Sequence, residues 1–217
     1  MAIISFVSTK GGVGKSTLAL NIATQLTIMG HEVSLLDSDP QGSVMKWANI
    51  REGSEEPLTP VFVASAMGKA LEEMARERSK KSIVLIDSAG VINERSRLAI
   101  ELADYVFTSS NPEPMELWEV KTSLDVVGLV ERKIKRRIPL LLALNRVHPS
   151  TRDLSDVAEY LETSMSFPAY LFDTIIRERA SYKQSIRTGH AVCEYEDQKA
   201  KEEIEAICLE IINIIKS

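Results

Sequence analysis

The strongest constraint on the fold of this chain is a glycine-rich loop near its start. The segment VSTKGGVGKST occupies residues 7–17 and follows an apolar run, AIISFVS, that is rich in β-branched residues and typical of a buried strand. After the loop, apolar residues recur at helical spacing up to Gly30, a residue type common just beyond a helix end. A second apolar strand, HEVSLLD, follows at residues 31–37. This order predicts a βαβ unit whose first turn is the glycine loop.

Strand-like and helix-like segments continue to alternate along the chain. The pattern predicts strands at residues 60–64, 82–87, 104–109, 138–145 and 168–172, helices at residues 67–79, 93–103, 113–130 and 154–164, and a helical remainder. Such alternation predicts an α/β fold with a single doubly wound, mostly parallel sheet and helices on both faces. A length of 217 residues suits one domain over residues 1–217. The most linker-like segment, residues 51–60, is too short to divide it.

The composition of the loop predicts phosphate binding of the P-loop NTPase type. Glycines let backbone N–H groups approach a phosphate, and the N-terminus of the following helix adds positive potential. In the motif G-x-x-x-x-G-K-[ST], the lysine reaches the β- and γ-phosphates and the hydroxyl binds Mg²⁺. Here Thr9 replaces the first glycine, and an extra lysine follows it. The alternative is a plain glycine turn. The predicted nucleotide-binding residues of the loop are Lys10, Gly11, Gly12, Val13, Gly14, Lys15, Ser16 and Thr17.

The residues KGGVGKST resemble the deviant Walker A box of the ParA/MinD family, and the resemblance runs from residue 2 to about residue 215. It includes the segments SSNPEPMELWEV and IIRERASYKQSIRTGHAVCEY, although Ser185 replaces the usual alanine. It is closest to the small ParA-type partition ATPases, VirC-type relatives included. The resemblance implies that Lys10 crosses a dimer interface to the phosphates of ATP bound by the partner subunit. From the residues alone, the alternative is a solvated lysine beside the loop.

Acidic residues end two of the predicted strands. Asp37 and Asp39 follow the second strand, and Asp87 ends the apolar run IVLID. Because ligands bind at the carboxyl ends of parallel strands, these carboxylates are expected to face the loop. The resemblance implies that Asp37 and Asp87 act near Mg²⁺ together with Ser16, and that Asp39 orients the attacking water. Taken alone, the aspartates could be turn residues.

The family usually continues D-T-P-P or D-T-P-G after the second acidic site. This chain has Ser88, Ala89 and Gly90 there, a departure that leaves the carboxylate in place. The resemblance also implies that Asn145, at the end of another predicted strand, recognises adenine; a strand-end asparagine is otherwise a common turn residue. The predicted catalytic residues are therefore Lys10, Lys15 and Asp39, and the predicted cofactors are ATP/ADP and Mg²⁺.

DNA binding follows from the resemblance, whereas the charge of the chain only permits it. The net charge is −5, so that DNA would need a local basic patch. Two sets of basic residues are candidates, the second on one predicted helical stretch, and a dimer would double either of them. The first set could equally be a solvated helix end. The sets are Arg132, Lys133, Lys135, Arg136 and Arg137, and Arg177, Arg179, Lys183 and Arg187.

The C-terminal helix distinguishes a DNA-partitioning reading from a membrane-positioning one. Its apolar face carries Ile204, Ile207, Cys208, Ile211 and Ile215, and its polar face is acidic, which favours packing in the core over binding to anionic lipid. No segment is long enough to span a membrane, and two cysteines outside any metal-binding pattern indicate a cytoplasmic protein with reduced thiols.

The expected function is an ATP-dependent homodimerisation switch that binds non-specific DNA, hydrolyses ATP slowly and partitions DNA. The resemblance also implies a ParB-like or other stimulating partner, and association with the nucleoid if DNA is bound. The alternatives are a MinD-like positioning ATPase acting on a membrane or protein cargo, and a metabolic P-loop enzyme of the same fold.

Overall fold

A computed structural model describes residues 1–90, 94–164 and 169–217, in which seven strands form one parallel sheet. The strands are β1 (Ile3–Phe6), β2 (Val33–Asp37), β3 (Phe62–Ser65), β4 (Ile83–Asp87), β5 (Tyr105–Ser110), β6 (Leu140–Leu144) and β7 (Ala169–Leu171). Their order is β3-β2-β4-β1-β5-β6-β7. The helices are α1 (Lys15–Ile28), α2 (Ser43–Glu52), α3 (Gly68–Ser79), α4 (Glu94–Leu102), α5 (Pro114–Ile134), α6 (Ser155–Ser164), α7 (Ser181–Arg187) and α8 (Gln198–Lys216).

Helices cover both faces of the sheet, which confirms the doubly wound α/β prediction. Alternate residues of a strand point to opposite faces, and β1 follows this rule. Ile4 and Phe6 pack with α1 and α8, whereas Ile3 packs with α3 and α4. The apolar face of α8 is confirmed as part of the core, with Ile204, Ile207, Cys208 and Ile211 fully buried.

Helix α2 was not predicted, and the alternation placed no element between residues 37 and 60. Only Val44, Trp47 and Ala48 of this helix are buried, too few apolar residues for a clear periodic signal. Two tertiary contacts hold it in place. Arg51 forms a buried ion pair of 2.6 Å with Glu194, and the indole Nε1 of Trp47 donates to a backbone carbonyl at 3.1 Å. These contacts fix the end of the short loop that carries Asp39.

The prediction of a wholly helical C-terminal remainder was wrong. Residues 172–180 form no helix, because this segment runs alongside the chain after β6, where Val147 and Arg177 form a parallel bridge. Arg177 and Arg179 therefore precede α7 instead of lying on it with Lys183 and Arg187. Helix α5 also extends four residues beyond its predicted end, to Ile134. The predicted first residues of two elements, Asn93 and Pro168, lie outside the described residues.

The register of the central strands brings the acidic residues to one edge of the sheet. Asp37 of β2 is paired with Asp87 of β4, and Asp87 is also level with Phe6 at the end of β1. The glycine loop leaves the sheet directly after β1. The loop and the two carboxylates therefore meet at the carboxyl edge, at the topological switch point where such sheets bind ligands.

Candidate functional site

The glycine loop is shaped by left-handed backbone and is fastened to β6. Gly12 and Gly14 have φ angles of 82° and 98°, conformations that a residue with a side chain rarely adopts. The Asn145 side chain donates from Nδ2 to the carbonyl of Val13 at 2.9 Å and accepts from the N–H of Arg146 at 2.9 Å. A Cβ on Gly14 would lie 2.6 Å from the same Nδ2, so glycine is required there. Asn145 thus holds the loop, and its predicted contact with adenine stays a prediction.

Lys15 is the first residue of α1 and is buried, with 6% of its surface exposed. Its Nζ donates to the hydroxyl of Ser8 at 3.0 Å. Burial lowers the pKa of this ammonium, while the charges of Asp87 and Asp39 oppose that shift. A buried ammonium held by one neutral hydroxyl would gain strongly from a phosphate anion at the loop.

Asp87 is fully buried, and neither of its carboxylate oxygens has a hydrogen-bond partner among the described residues. Burial is the main cause that raises its pKa to about 7, although the nearby Ser16 hydroxyl, which does not reach hydrogen-bond geometry, and the Lys15 ammonium act in the opposite direction. A buried carboxylate without a donor is suited to a hard cation that accepts oxygen ligands, as Mg²⁺ does. The donor set next to the loop, Asp87 and Ser16, therefore fits Mg²⁺.

Asp37 and Asp39 organise the loop that follows β2. The carboxylate of Asp37 accepts from the N–H of Asp39 at 3.1 Å and from that of Met45 at 3.0 Å. Burial is nevertheless the largest influence, and it raises the pKa of Asp37. The carboxylate of Asp39 accepts from the N–H of Gln41 at 2.9 Å. Asp37 therefore braces the turn, and Asp39 lies within it, half-buried.

A cavity of about 580 Å³ lies between the glycine loop, the loop after β2 and the segment after β4. Seven of the predicted site residues line it, whereas Lys10, Val13, Asp37, Asp87 and Asn145 do not. Other lining residues, which the motifs did not predict, include Gly90, Arg146 and Ile186. The predicted residues that line the cavity are Gly11, Gly12, Gly14, Lys15, Ser16, Thr17 and Asp39.

Gly90 makes a close backbone contact with the loop. A Cβ at this position would lie 2.8 Å from the Cα of Gly11 and 3.3 Å from the carbonyl oxygen of Lys10. The segment after Asp87, which departs from the family pattern, therefore touches the glycine loop through backbone atoms. A glycine three residues after a strand-end aspartate was the available signal for this contact.

Lys10 does not line the cavity. Its ammonium forms an ion pair with Glu116 on α5, and its side chain is 53% exposed. The preceding Thr9 donates its hydroxyl to Glu119 on the same helix at 2.6 Å. Trp118, between these two glutamates, is 59% exposed. The extra lysine is thus held at an exposed, partly apolar surface.

Carboxylates neutralise several residues of the two basic sets. Lys133 pairs with Glu101 at 2.5 Å and Arg179 pairs with Glu203 at 2.6 Å. Arg136 and Arg137 are likewise paired with acidic residues. Within the part of the chain that the structure describes, the members without such an ion pair are Arg132, Lys135, Arg177, Lys183 and Arg187.

Across residues 1–90, 94–164 and 169–217, no helix is both long and apolar enough to cross a bilayer.

Comparisons with known proteins agree with this geometry. The model of the CobQ/CobB/MinD/ParA nucleotide binding domain matches residues 4–192. Protein ParA of Rhizobium radiobacter is 30% identical over 154 residues, 70% of this chain and 68% of that protein. The maintenance of carboxysome distribution protein A of Halothiobacillus neapolitanus is 25% identical over 216 residues, 96% of this chain and 95% of that protein. An ATP complex of a McdA variant from Cyanothece has the same fold, with a TM-score of 0.75, 16% identity and coverage of 97% of this chain and 96% of that one.

Proposed function

Because this chain belongs to the CobQ/CobB/MinD/ParA family of nucleotide-binding proteins, we propose that it is a ParA-type ATPase that dimerises when it binds ATP. The observation that carries the proposal is that two buried, charged side chains lie next to the glycine loop with few or no hydrogen-bond partners. The Lys15 ammonium has one hydroxyl partner, and the Asp87 carboxylate has none among the described residues. Magnesium-bound triphosphate is a ligand that complements both charges at once.

Each site residue has a distinct task in this proposal. Backbone N–H groups of residues 11–17 and the Lys15 ammonium bind the β- and γ-phosphates. Ser16 and Asp87 hold Mg²⁺ together with phosphate oxygens and water, and Asp37 braces the turn beside them. When bound, Mg²⁺ neutralises charge on the transferred phosphoryl group. Asp39, which is half-buried and lines the cavity, orients the attacking water.

Lys10 is proposed to act on the nucleotide of the partner subunit. Its ammonium lies outside its own cavity, on a surface where Trp118 is exposed. Exchanging the ion pair with Glu116 for a triphosphate is favourable because ATP concentrates more negative charge than one carboxylate, and the gain falls when hydrolysis removes the terminal phosphate. An exposed ion pair contributes only about 0–1 kcal/mol, so the exchange costs little.

DNA partitioning is the proposed biological role, with non-specific DNA bound by the ATP dimer and hydrolysis stimulated by a ParB-like or other adaptor. The similarity to ParA of Rhizobium radiobacter supports this role. Ion pairing with carboxylates reduces the effective charge of both basic sets. The basic residues without an ion pair would therefore contact the DNA, and a dimer would present two copies of each. These residues are Arg132, Lys135, Arg177, Lys183 and Arg187. A cytoplasmic, nucleoid-associated location follows from it.

Positioning of a protein cargo is the second candidate. It is favoured by the similarity to a carboxysome distribution protein over 96% of this chain. A MinD-like attachment through the C-terminal helix has less support, because the apolar face of α8 is buried in the core.

Light-scattering mass with ADP and with ATP–Mg²⁺ tests the proposal. We expect ATP to double the mass of the wild type, and Lys10→Ala to abolish doubling while the nucleotide still binds. Asp39→Ala should give an ATP dimer that stays on DNA, as read by a salt-dependent gel shift. A mass that ATP never changes, or an Asp39→Ala variant that stays monomeric with ATP, would contradict the switch and favour a metabolic enzyme.

A further inference from the structure

Arg146 is a cavity residue that no motif predicted. It follows Asn145 at the carboxyl end of β6, and its side chain lines the same cavity as the glycine loop. Its Nε lies 3.8 Å from the position that a Cβ on Gly14 would occupy. The guanidinium is therefore next to the loop, at the point where α1 begins.

The backbone of Arg146 is in an unfavourable conformation. Its φ angle is 56°, in the left-handed region that disfavours residues with a Cβ. The Asn145 side chain supports this conformation by accepting from the Arg146 N–H. Among the described residues, the Arg146 guanidinium makes no hydrogen bond or ion pair. A strained residue that aims an unpaired cation into a cavity indicates a ligand contact.

The strand order shows which end of a nucleotide Arg146 would meet. Asp37 and Asp87 end β2 and β4, on one side of β1, whereas Arg146 follows β6, on the other side and beyond β5. A nucleotide with its γ-phosphate and metal near the carboxylates would extend across the loop towards β6. Its base end would then reach Arg146.

We propose that the Arg146 guanidinium stacks on the base of the bound nucleotide and clamps it against the cavity wall. This inference rests on the nucleotide binding proposed above. A planar guanidinium over an aromatic ring is a favourable cation–π arrangement. Ile186 of α7 also lines the cavity and offers an apolar surface to a ring. In this arrangement Asn145 is a positioning residue, which fixes both the loop and the backbone of Arg146.

Calorimetric titration with two probes in Mg²⁺ tests the assignment: ATP, and inorganic tripolyphosphate, which has the phosphates without the base. The variant Arg146→Asn removes the guanidinium and tolerates a positive φ. We expect its ATP affinity to fall about 3- to 30-fold, with tripolyphosphate affinity unchanged. Arg146→Lys should lose a similar factor, because it keeps the charge but not the plane.

A control is available at Arg152, an exposed arginine that also follows β6 but does not line the cavity. Arg152→Asn removes a guanidinium outside the cavity, and both affinities should stay unchanged. Equal losses for ATP and tripolyphosphate in Arg146→Asn would overturn the base contact, as would no loss at all. A wild type that binds neither probe would instead overturn the proposed function.

Discussion

Replacing Asp87 by asparagine should stabilise the ligand-free protein at neutral pH while abolishing magnesium-dependent nucleotide binding. The carboxylate is fully buried without a hydrogen-bond partner among the described residues, and its pKa is raised from 3.8 to about 7. Asparagine has nearly the same shape and resembles the protonated acid. The variant therefore removes a buried charge without opening a cavity.

The size and sign of the effect follow from proton linkage. Well below pH 3.8, Asp87 is neutral in both states and contributes no destabilisation. Between pH 4 and pH 7 the unfolded chain loses this proton before the folded chain does, so the free energy of unfolding falls as pH rises. A displacement from 3.8 to about 7 corresponds to about 4 kcal/mol above pH 7, at 1.36 kcal/mol for each pH unit. The advantage of Asp87→Asn should grow by about 3 kcal/mol between pH 5 and pH 8.

Urea unfolding in EDTA at several pH values measures this difference directly. The exposed control Asp153→Asn should show no gain with pH, because hydrogen bonds from Ser155 lower the pKa of Asp153. With ATP and Mg²⁺ the order should reverse, since ligand binding stabilises only the wild type. A difference between Asp87→Asn and the wild type that is constant from pH 5 to pH 8 would refute the reasoning.

Three further substitutions test the packing around the site. Gly90→Ala should lower nucleotide affinity about 10- to 100-fold in a filter-binding assay, because the added Cβ overlaps Gly11 at a cost of about 1–3 kcal/mol. The control Gly53→Ala should be neutral, because the added Cβ would make only ordinary van der Waals contacts. Ser185→Ala should raise the free energy of unfolding by about 1 kcal/mol, since its buried hydroxyl lacks a partner among the described residues; a loss would show that the hydroxyl is bonded. Arg51→Ala should cost about 3–5 kcal/mol in urea unfolding by leaving its carboxylate partner buried, and an unchanged midpoint would contradict this.

The parallel sheet and the place of the glycine loop between β1 and α1 could be predicted from the sequence, because both depend on local patterns. Apolar runs marked the buried strands, and the glycine motif placed Lys15 and Ser16 at the start of α1. The position of Asp87 could be predicted because a residue that ends a central parallel strand lies at the carboxyl edge of the sheet, where the glycine loop also lies. These features depend on neighbours within a few positions, or on a general rule for parallel sheets.

The rest of the site depends on contacts between distant segments. Arg146 joins the cavity because β6 lies two strands from β1, which its own neighbours in the sequence do not indicate. The neutralised basic run could not be recognised either, because the partner of Lys133 is Glu101, 32 positions away. Helix α2 is held by an ion pair to Glu194, across 143 positions.

The register of β1 has a consequence for how the protein is made. Ile4 pairs with Leu85 on one side and with Tyr105 on the other, so the strand that carries the glycine loop is synthesised long before either neighbour. Asn145, whose side chain donates a hydrogen bond to the loop, is synthesised later still. A nascent chain therefore carries an apolar, unpaired β1 until β4 has been made at residues 83–87, and unpaired apolar strands of this kind are prone to aggregation. ATP cannot assist folding until about two thirds of the protein has left the ribosome.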